Sequence, residues 1–245
     1  MPSISFAGHD LAAYDLVLTR LDPSMQMAAE SYQMLRRSYA PESTAPPKEL
    51  VLGMFITGTT MAATEAKLDS IKAVLNRTRD GRLVLGTQTD RYWNARYAGL
   101  DGAWNGPLLF EGTISFTAHD PMAYAVTGID VTHAVDADPK EISLTVLGSG
   151  DAEPEYILAA GAAWDSSLTL ENAALGMTFT WTGVMTSGQR LTINAKTWYA
   201  SLEGASAMSG AGGQFPVLRP GSNLLVVTGF GSLGTLRIKY RARYA

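Results

Sequence analysis

The sequence predicts a mainly β protein of two domains with one helix, and three observations carry that prediction. Charged residues are only 17% of the chain, against 24 glycines and many Thr, Ser, Val and aromatic residues, a balance that suits strands and tight turns better than a helical bundle. Apolar and polar residues alternate with period two in many short runs, clearly so where Ile114 and Phe116 alternate with Thr113, Ser115 and Thr117. That run stops at Asp120-Pro121. Proline removes a backbone donor and biases Asp120 away from the helical region, so His119 to Met122 should be a turn. The chain is expected to divide there, into domains of residues 1–125 and 126–245.

In the first domain, Ile4 and Phe6 alternate with serines, Gly8-His9-Asp10 turns the chain, and Tyr14 to Thr19 alternates again, which reads as an opening hairpin. Met25 to Leu35 has helix-favouring composition but fits neither period. Ser38 to Lys48, with Pro41, Pro46 and Pro47, is an extended loop, either a surface loop or an arm reaching a neighbouring subunit. Leu50, Leu52 and Met54 form a strand. Thr60 is then placed to cap a helix whose apolar stripe is Met61, Leu68, Ile71 and Leu75. Asp80-Gly81 starts a return strand to Leu85. In the next run, Arg91, Trp93, Ala95 and Tyr97 share one face, and Tyr92, Asn94 and Arg96 share the other. Basic residues among aromatics can stack on nucleic acid, or can build a solvated or inter-subunit strand. Gly102 to Pro107 turns the chain into the run Leu108 to Thr117.

In the second domain, Val126, Thr127, Val131 and Thr132 lead to Asp136-Ala-Asp-Pro139, which reads as linker and turn, and Ile142, Leu144 and Val146 alternate as a strand. Further short strands are expected at Tyr156–Ala160, Ser167–Leu170, Met177–Trp181, Arg190–Asn194, Trp198–Leu202, Asn223–Thr228 and Leu236–Tyr240. Glycine-bearing segments separate them, including Gly210 to Gly213. Seven or eight such strands predict an antiparallel β-sandwich. The last strand sets Arg237, Lys239 and Arg241 on one face, a row that suits solvent or a partner.

Composition narrows the function classes. With no cysteine, disulfides, thiolate metal sites and cysteine nucleophiles are excluded. A net charge of −4 argues against a surface built to neutralise phosphates. No signal peptide is expected. The longest apolar run, Leu50 to Ile56, is broken by Gly53 and is too short to span a bilayer.

Chemical motifs fail their context tests. Gly229-Phe-Gly231-Ser-Leu-Gly234 matches GxGxxG, but a strand follows in place of the helix that would hold a pyrophosphate, so it reads as a glycine-rich hairpin. His9, His119 and His133 are isolated. His119-Asp120, and His133 with Asp136 and Asp138, are weak metal or acid-base clusters in segments read as turns. Asp151, Glu153 and Glu155 fall in a polar connector. Trp164, Trp181 and Trp198 are either core residues or a sugar-stacking platform. No catalytic, cofactor-binding or metal-binding residue is expected, and no cofactor.

Several stretches taken in order resemble one family. In the first half they are Ile4-Ser-Phe-Ala-Gly-His-Asp, the strand and helix of Leu50 to Leu75, Asp90-Arg-Tyr-Trp-Asn-Ala and Ile114-Ser-Phe-Thr-Ala-His-Asp-Pro-Met-Ala-Tyr. In the second half they are Gly150-Asp-Ala-Glu-Pro, Leu218-Arg-Pro-Gly-Ser-Asn-Leu-Leu-Val-Val and Leu236-Arg-Ile-Lys-Tyr-Arg-Ala-Arg-Tyr. Together they resemble the distal tail protein (Dit) family of long-tailed, siphovirus-type bacteriophages. The resemblance implies an N-terminal β-sandwich or split-barrel belt domain that closes a homohexameric ring, and a C-terminal galectin-like β-sandwich. It implies a non-enzymatic virion protein of the tail tip or baseplate, synthesised in the host bacterial cytoplasm. Its implied partners are the tail tube protein, the tail hub and receptor-binding or side-fibre proteins, with DNA passing through the bore unbound and no membrane contact. Arg36-Arg37-Ser38-Tyr39 departs from the family's glycine-containing turn, which leaves the ring-forming arm open. Larger relatives carry extra carbohydrate-binding modules, for which this length has no room, so no direct host-sugar recognition is expected from the resemblance. The alternative function is a carbohydrate-binding sandwich for host-glycan adhesion.

Overall fold

In the first half of the chain the alternating runs become strands of one antiparallel sheet. The computed structural model describes residues 4–21, 47–78, 80–229 and 234–245. The readings of Met25 to Leu35 and of the proline-rich loop up to residue 46 lie outside the described residues. The elements in order are β1 (Ile4–Phe6), β2 (His9–Asp10), β3 (Leu16–Leu21), β4 (Lys48–Thr57), α1 (Met61–Arg77), β5 (Asp80–Leu85), β6 (Gln88–Trp104), β7 (Leu109–Ala118) and β8 (Ala123–Ala125). The sheet runs β2-β1-β5-β6-β7-β4-β3, and β8 pairs β6.

This order corrects the expected opening hairpin. β1 turns through Ala7 and Gly8, both at positive φ (52° and 85°), and pairs at once with β2, as a tight two-residue turn allows. The Tyr14 run begins instead in a 3-10 turn, and β3 lies at the far end of the sheet beside β4. The sheet also curls. Phe6 on β1 and Phe116 on β7 stand three strand positions apart, about 14 Å on a flat sheet, yet their ring centroids are 4.9 Å apart. One curled sheet carrying a helix therefore stands where two facing sheets were the alternative.

Thr60 caps α1 as predicted, its hydroxyl accepting from Ala63 N at 3.1 Å. Leu68, Ile71 and Leu75 are buried, but Met61 is 46% exposed and Thr64 completes the stripe in its place. Crowding explains the exchange. Thr64 Oγ1 donates to backbone oxygens of Thr60 and Leu108, and a Cβ on Gly58 would come within 2.5 Å of that hydroxyl.

The chain falls into two compact units, Met1–Val126 and Thr127–Ala245. The second contains β9 (Ile129–Val135), β10 (Lys140–Val146), β11 (Glu155–Ala160), β12 (Trp164–Asn172), β13 (Met177–Met185), β14 (Arg190–Asn194), β15 (Tyr199–Leu202), β16 (Ala205–Ser206), β17 (Ala211–Gly213), β18 (Gly221–Thr228) and β19 (Gly234–Tyr240). One sheet runs β10-β18-β12-β13-β17 and the other β16-β15-β14-β11-β19-β9. Inward residues of both form a single core, among them Leu168, Phe179 and Trp181 from the first and Tyr156, Ile193 and Ile238 from the second. Two sheets sharing one core make a sandwich. Among the described residues the chain is thus mainly β, with one α-helix and three antiparallel sheets.

Three further expectations change. The expected strands lack β9, whose seven residues before the Asp136 to Pro139 turn pair in unbroken register with β19. The segment Gly210 to Gly213 is partly strand: β17 pairs β13 so closely that a Cβ on Gly213 would meet Thr178 O at 2.2 Å. The segment Gly229 to Gly234 is not a hairpin, because β18 before it and β19 after it belong to different sheets. Residues 230–233 of that motif lie outside the described residues.

Candidate functional site

The corner at Asp120 is built by hydrogen bonding local to the turn. Asp120 Oδ1 accepts from Met122 N at 3.0 Å, an Asx turn, and Tyr124 donates its hydroxyl to the other carboxylate oxygen. Tyr124 in turn stacks on Tyr92 with centroids 5.8 Å apart, while the Arg82 guanidinium covers the Tyr92 ring at 4.6 Å. That cover buries Tyr92 on the face opposite Trp93 and Ala95, which are buried by the alternation itself. Arg96 makes a paired contact with Asp80 at 2.8 and 2.9 Å, and Arg91 bonds Asp90, holding that carboxyl below its usual range. Arg82, Arg91 and Arg96 are thus each engaged within the protein, which removes the basis for a base-stacking strand.

The histidine clusters do not assemble. His9 is exposed on β2 and His119 is exposed in the corner, while His133 sits on β9 and not in a turn. Asp136 pairs with Lys140 at 2.5 Å, and Asp138 accepts from Gly229 N at 2.9 Å. Among the described residues no three His, Cys, Asp or Glu side chains lie close enough to hold a metal ion. Nor is any described helix long and apolar enough to cross a membrane.

Trp164 and Trp181 are core residues. Their rings stack at 5.6 Å, and their indole nitrogens donate to Gly229 O and Ala207 O. Of the three tryptophans only Trp198 is exposed, at 43%. It stands in the turn before β15, at φ 54°, and not on the strand.

The carboxylates and the basic row answer each other. Arg237 binds Asp130 through two bonds of 2.6 and 2.5 Å, Lys239 lies 3.4 Å from Glu155, and Arg243 lies 3.7 Å from Glu153. The Arg237 guanidinium holds the Asp130 carboxyl below its usual range. The first two pairs make a compensated ladder on the outer face of the six-stranded sheet, and Arg241 falls past the end of β19. The other sheet bears a shallow depression of about 500 Å³ lined by Ser143, Leu144, Thr145, Ser222, Leu224 and neighbours, with no titratable side chain in its wall.

One polar arrangement has no sequence signal beyond two asparagines in strands. Asn172 and Asn223 are both buried. The Asn172 amide donates to Val217 O and Asn223 Oδ1, and the Asn223 amide donates to Arg219 O and Gly221 O. Asn223 Oδ1 also accepts from Arg219 N. The pair is satisfied within the fold and pins the turn before β18, so it is structural.

Neither a family model nor a curated protein sequence matches this chain. The crystal structure of the Dit protein of phage SPP1, described as a paradigm of the hub adsorption apparatus in phages infecting Gram-positive hosts, does match in fold. The two superpose with a TM-score of 0.74 over 100% of both chains, at 13% sequence identity. The fold is that of the SPP1 Dit protein. The Dit-like fold thus spans both units, the curled sheet with its helix and the sandwich. A chain of the phage p2 baseplate, in its activated conformation with Ca, gives a TM-score of only 0.42 at 7% identity, over 99% of this chain and 98% of that one. That likeness is too loose to add to the assignment.

Proposed function

We propose that the protein is a structural, non-enzymatic component of a phage tail tip. The observation that carries this reading is the full-length likeness in fold to the SPP1 Dit protein. Residues 1–125 act as the belt domain, whose copies close a homohexameric ring between the tail tube and the tail hub. Residues 126–245 form a galectin-like sandwich on the outside of the ring, offering a surface to receptor-binding or side-fibre proteins. DNA passes through the bore without specific recognition. The internal pairing of the arginines on β5 and β6 supports this, since those cations are already engaged.

Mass measurement tests the ring. Six copies of a 26.2 kDa chain give about 157 kDa with closed cyclic symmetry, and averaged particle images should show a six-fold ring. A chain that remains monomeric at high concentration and is absent from tail particles would remove the proposal.

A further inference from the structure

Among the described residues, the sandwich carries one exposed aromatic feature that its core does not require. Trp198 and Tyr199 are 43% and 41% exposed, and Met208, whose sulfur accepts from Ala200 N at 3.2 Å, is 38% exposed. Trp198 is held at φ 54°, a left-handed conformation that bulky residues avoid. The turn that holds it is braced: Asn194 Oδ1 accepts from Lys196 N and Thr197 N, both at 3.0 Å. A constrained backbone presenting a large ring to solvent is a pattern found at binding sites.

Strand register places polar groups beside Tyr199, which follows Trp198 in the chain. Tyr199 lies opposite Asn194, Asn194 opposite Glu155, Glu155 opposite Lys239 and Lys239 opposite Asp130. The next residue along each of these strands, Ala200, Ile193, Tyr156, Ile238 and Val131 in turn, belongs to the core or packs against it. The row therefore faces outward, about 19 Å long at the usual strand spacing. Asn194 Nδ2 has no hydrogen-bond partner among the described residues, and there Glu155 has one ion pair, the 3.4 Å contact to Lys239.

We propose that this face binds a neutral saccharide, with Trp198 and Tyr199 stacking on its apolar face and Asn194 and Glu155 bonding its hydroxyls. Neutrality follows from the compensated charges of the row. The centre of a protein interface is depleted of charged residues, whereas three of the five residues in this row are charged. Here Tyr199 ends the polar strip, with exposed Trp198 next to it in the chain, while planar amides and carboxylates match vicinal hydroxyls. The proposal is independent of the ring reading.

The test uses the full chain against an array of neutral mono- and oligosaccharides, with tryptophan fluorescence titration of each hit. Trp198→Asn removes the ring but tolerates the left-handed backbone. Asn194→Asp keeps the oxygen that braces the turn and removes the free donor. At least one sugar should bind, and each variant should weaken it tenfold or more with its unfolding midpoint unchanged. If Trp198→Asn fails to fold, Tyr199→Ser carries the same expectation from outside the turn. Absence of any hit, or unchanged affinity in the folded variants, overturns the proposal. So does loss of another tail protein from particles carrying Trp198→Asn with no sugar bound, which would mark a protein-docking surface. Six-fold assembly is unaffected in every case, so failure here and failure of the ring reading are separable.

Discussion

Tyr156 is fully buried in the sandwich core, and its hydroxyl has no hydrogen-bond partner among the described residues. Burial pushes its ionisation far above the usual tyrosine range, so the group stays neutral. A buried hydroxyl without a partner costs stability. Tyr156→Phe is therefore expected to raise stability by about 1 kcal/mol, read as a higher urea midpoint with an unchanged slope; a loss of stability would show that the hydroxyl is satisfied. On the surface, Arg237 lowers the Asp130 pKa, chiefly through its hydrogen bonds. Because the folded value is depressed, the stabilisation is complete above the unfolded value of about 4 and is lost as pH falls through the lower folded value. Carboxyl NMR titration should place Asp130 below the usual range, and Arg237→Gln should move it back up.

At the scale of elements, α1 depends on its first turn. Thr60→Ala removes the cap bond to Ala63 N and should cost about 1 kcal/mol. Gly58→Ala should cost more than that, since its Cβ would press on both Thr64 Oγ1 at 2.5 Å and Thr64 N at 2.8 Å. Chemical denaturation of the two variants checks the order, and equal midpoints would mean that the first turn gives way easily. Leu68, Ile71 and Leu75 are legible from spacing alone, because helical period and a single buried face determine them. Thr64 is not, since its place rests on the approach of Gly58 and of the Leu108 carbonyl, which is distant in the chain. The same holds for β1 and β3: their alternation is readable, their separation across the sheet is not.

At the scale of the molecule, the sandwich core is drawn entirely from residues beyond 127. Residues 127–245 expressed alone should therefore show one cooperative unfolding transition by circular dichroism, and a broad, non-cooperative melt would count against an independent core. The mainly β character, the helix, the turn at Asp120 and nearly every strand of the second half are determined by sequence, because period, caps and proline geometry act over a few residues. Which sheet each strand joins is decided only by tertiary structure. Gly229 to Gly234 shows why: neighbouring residues cannot say whether β18 and β19 pair with each other or, as they do, with β10 and β9 far back in the chain. The same limit governs the tryptophans. Local sequence makes Trp164, Trp181 and Trp198 equivalent, and only packing buries two and leaves the third on the surface, beside a polar row assembled by register across five strands.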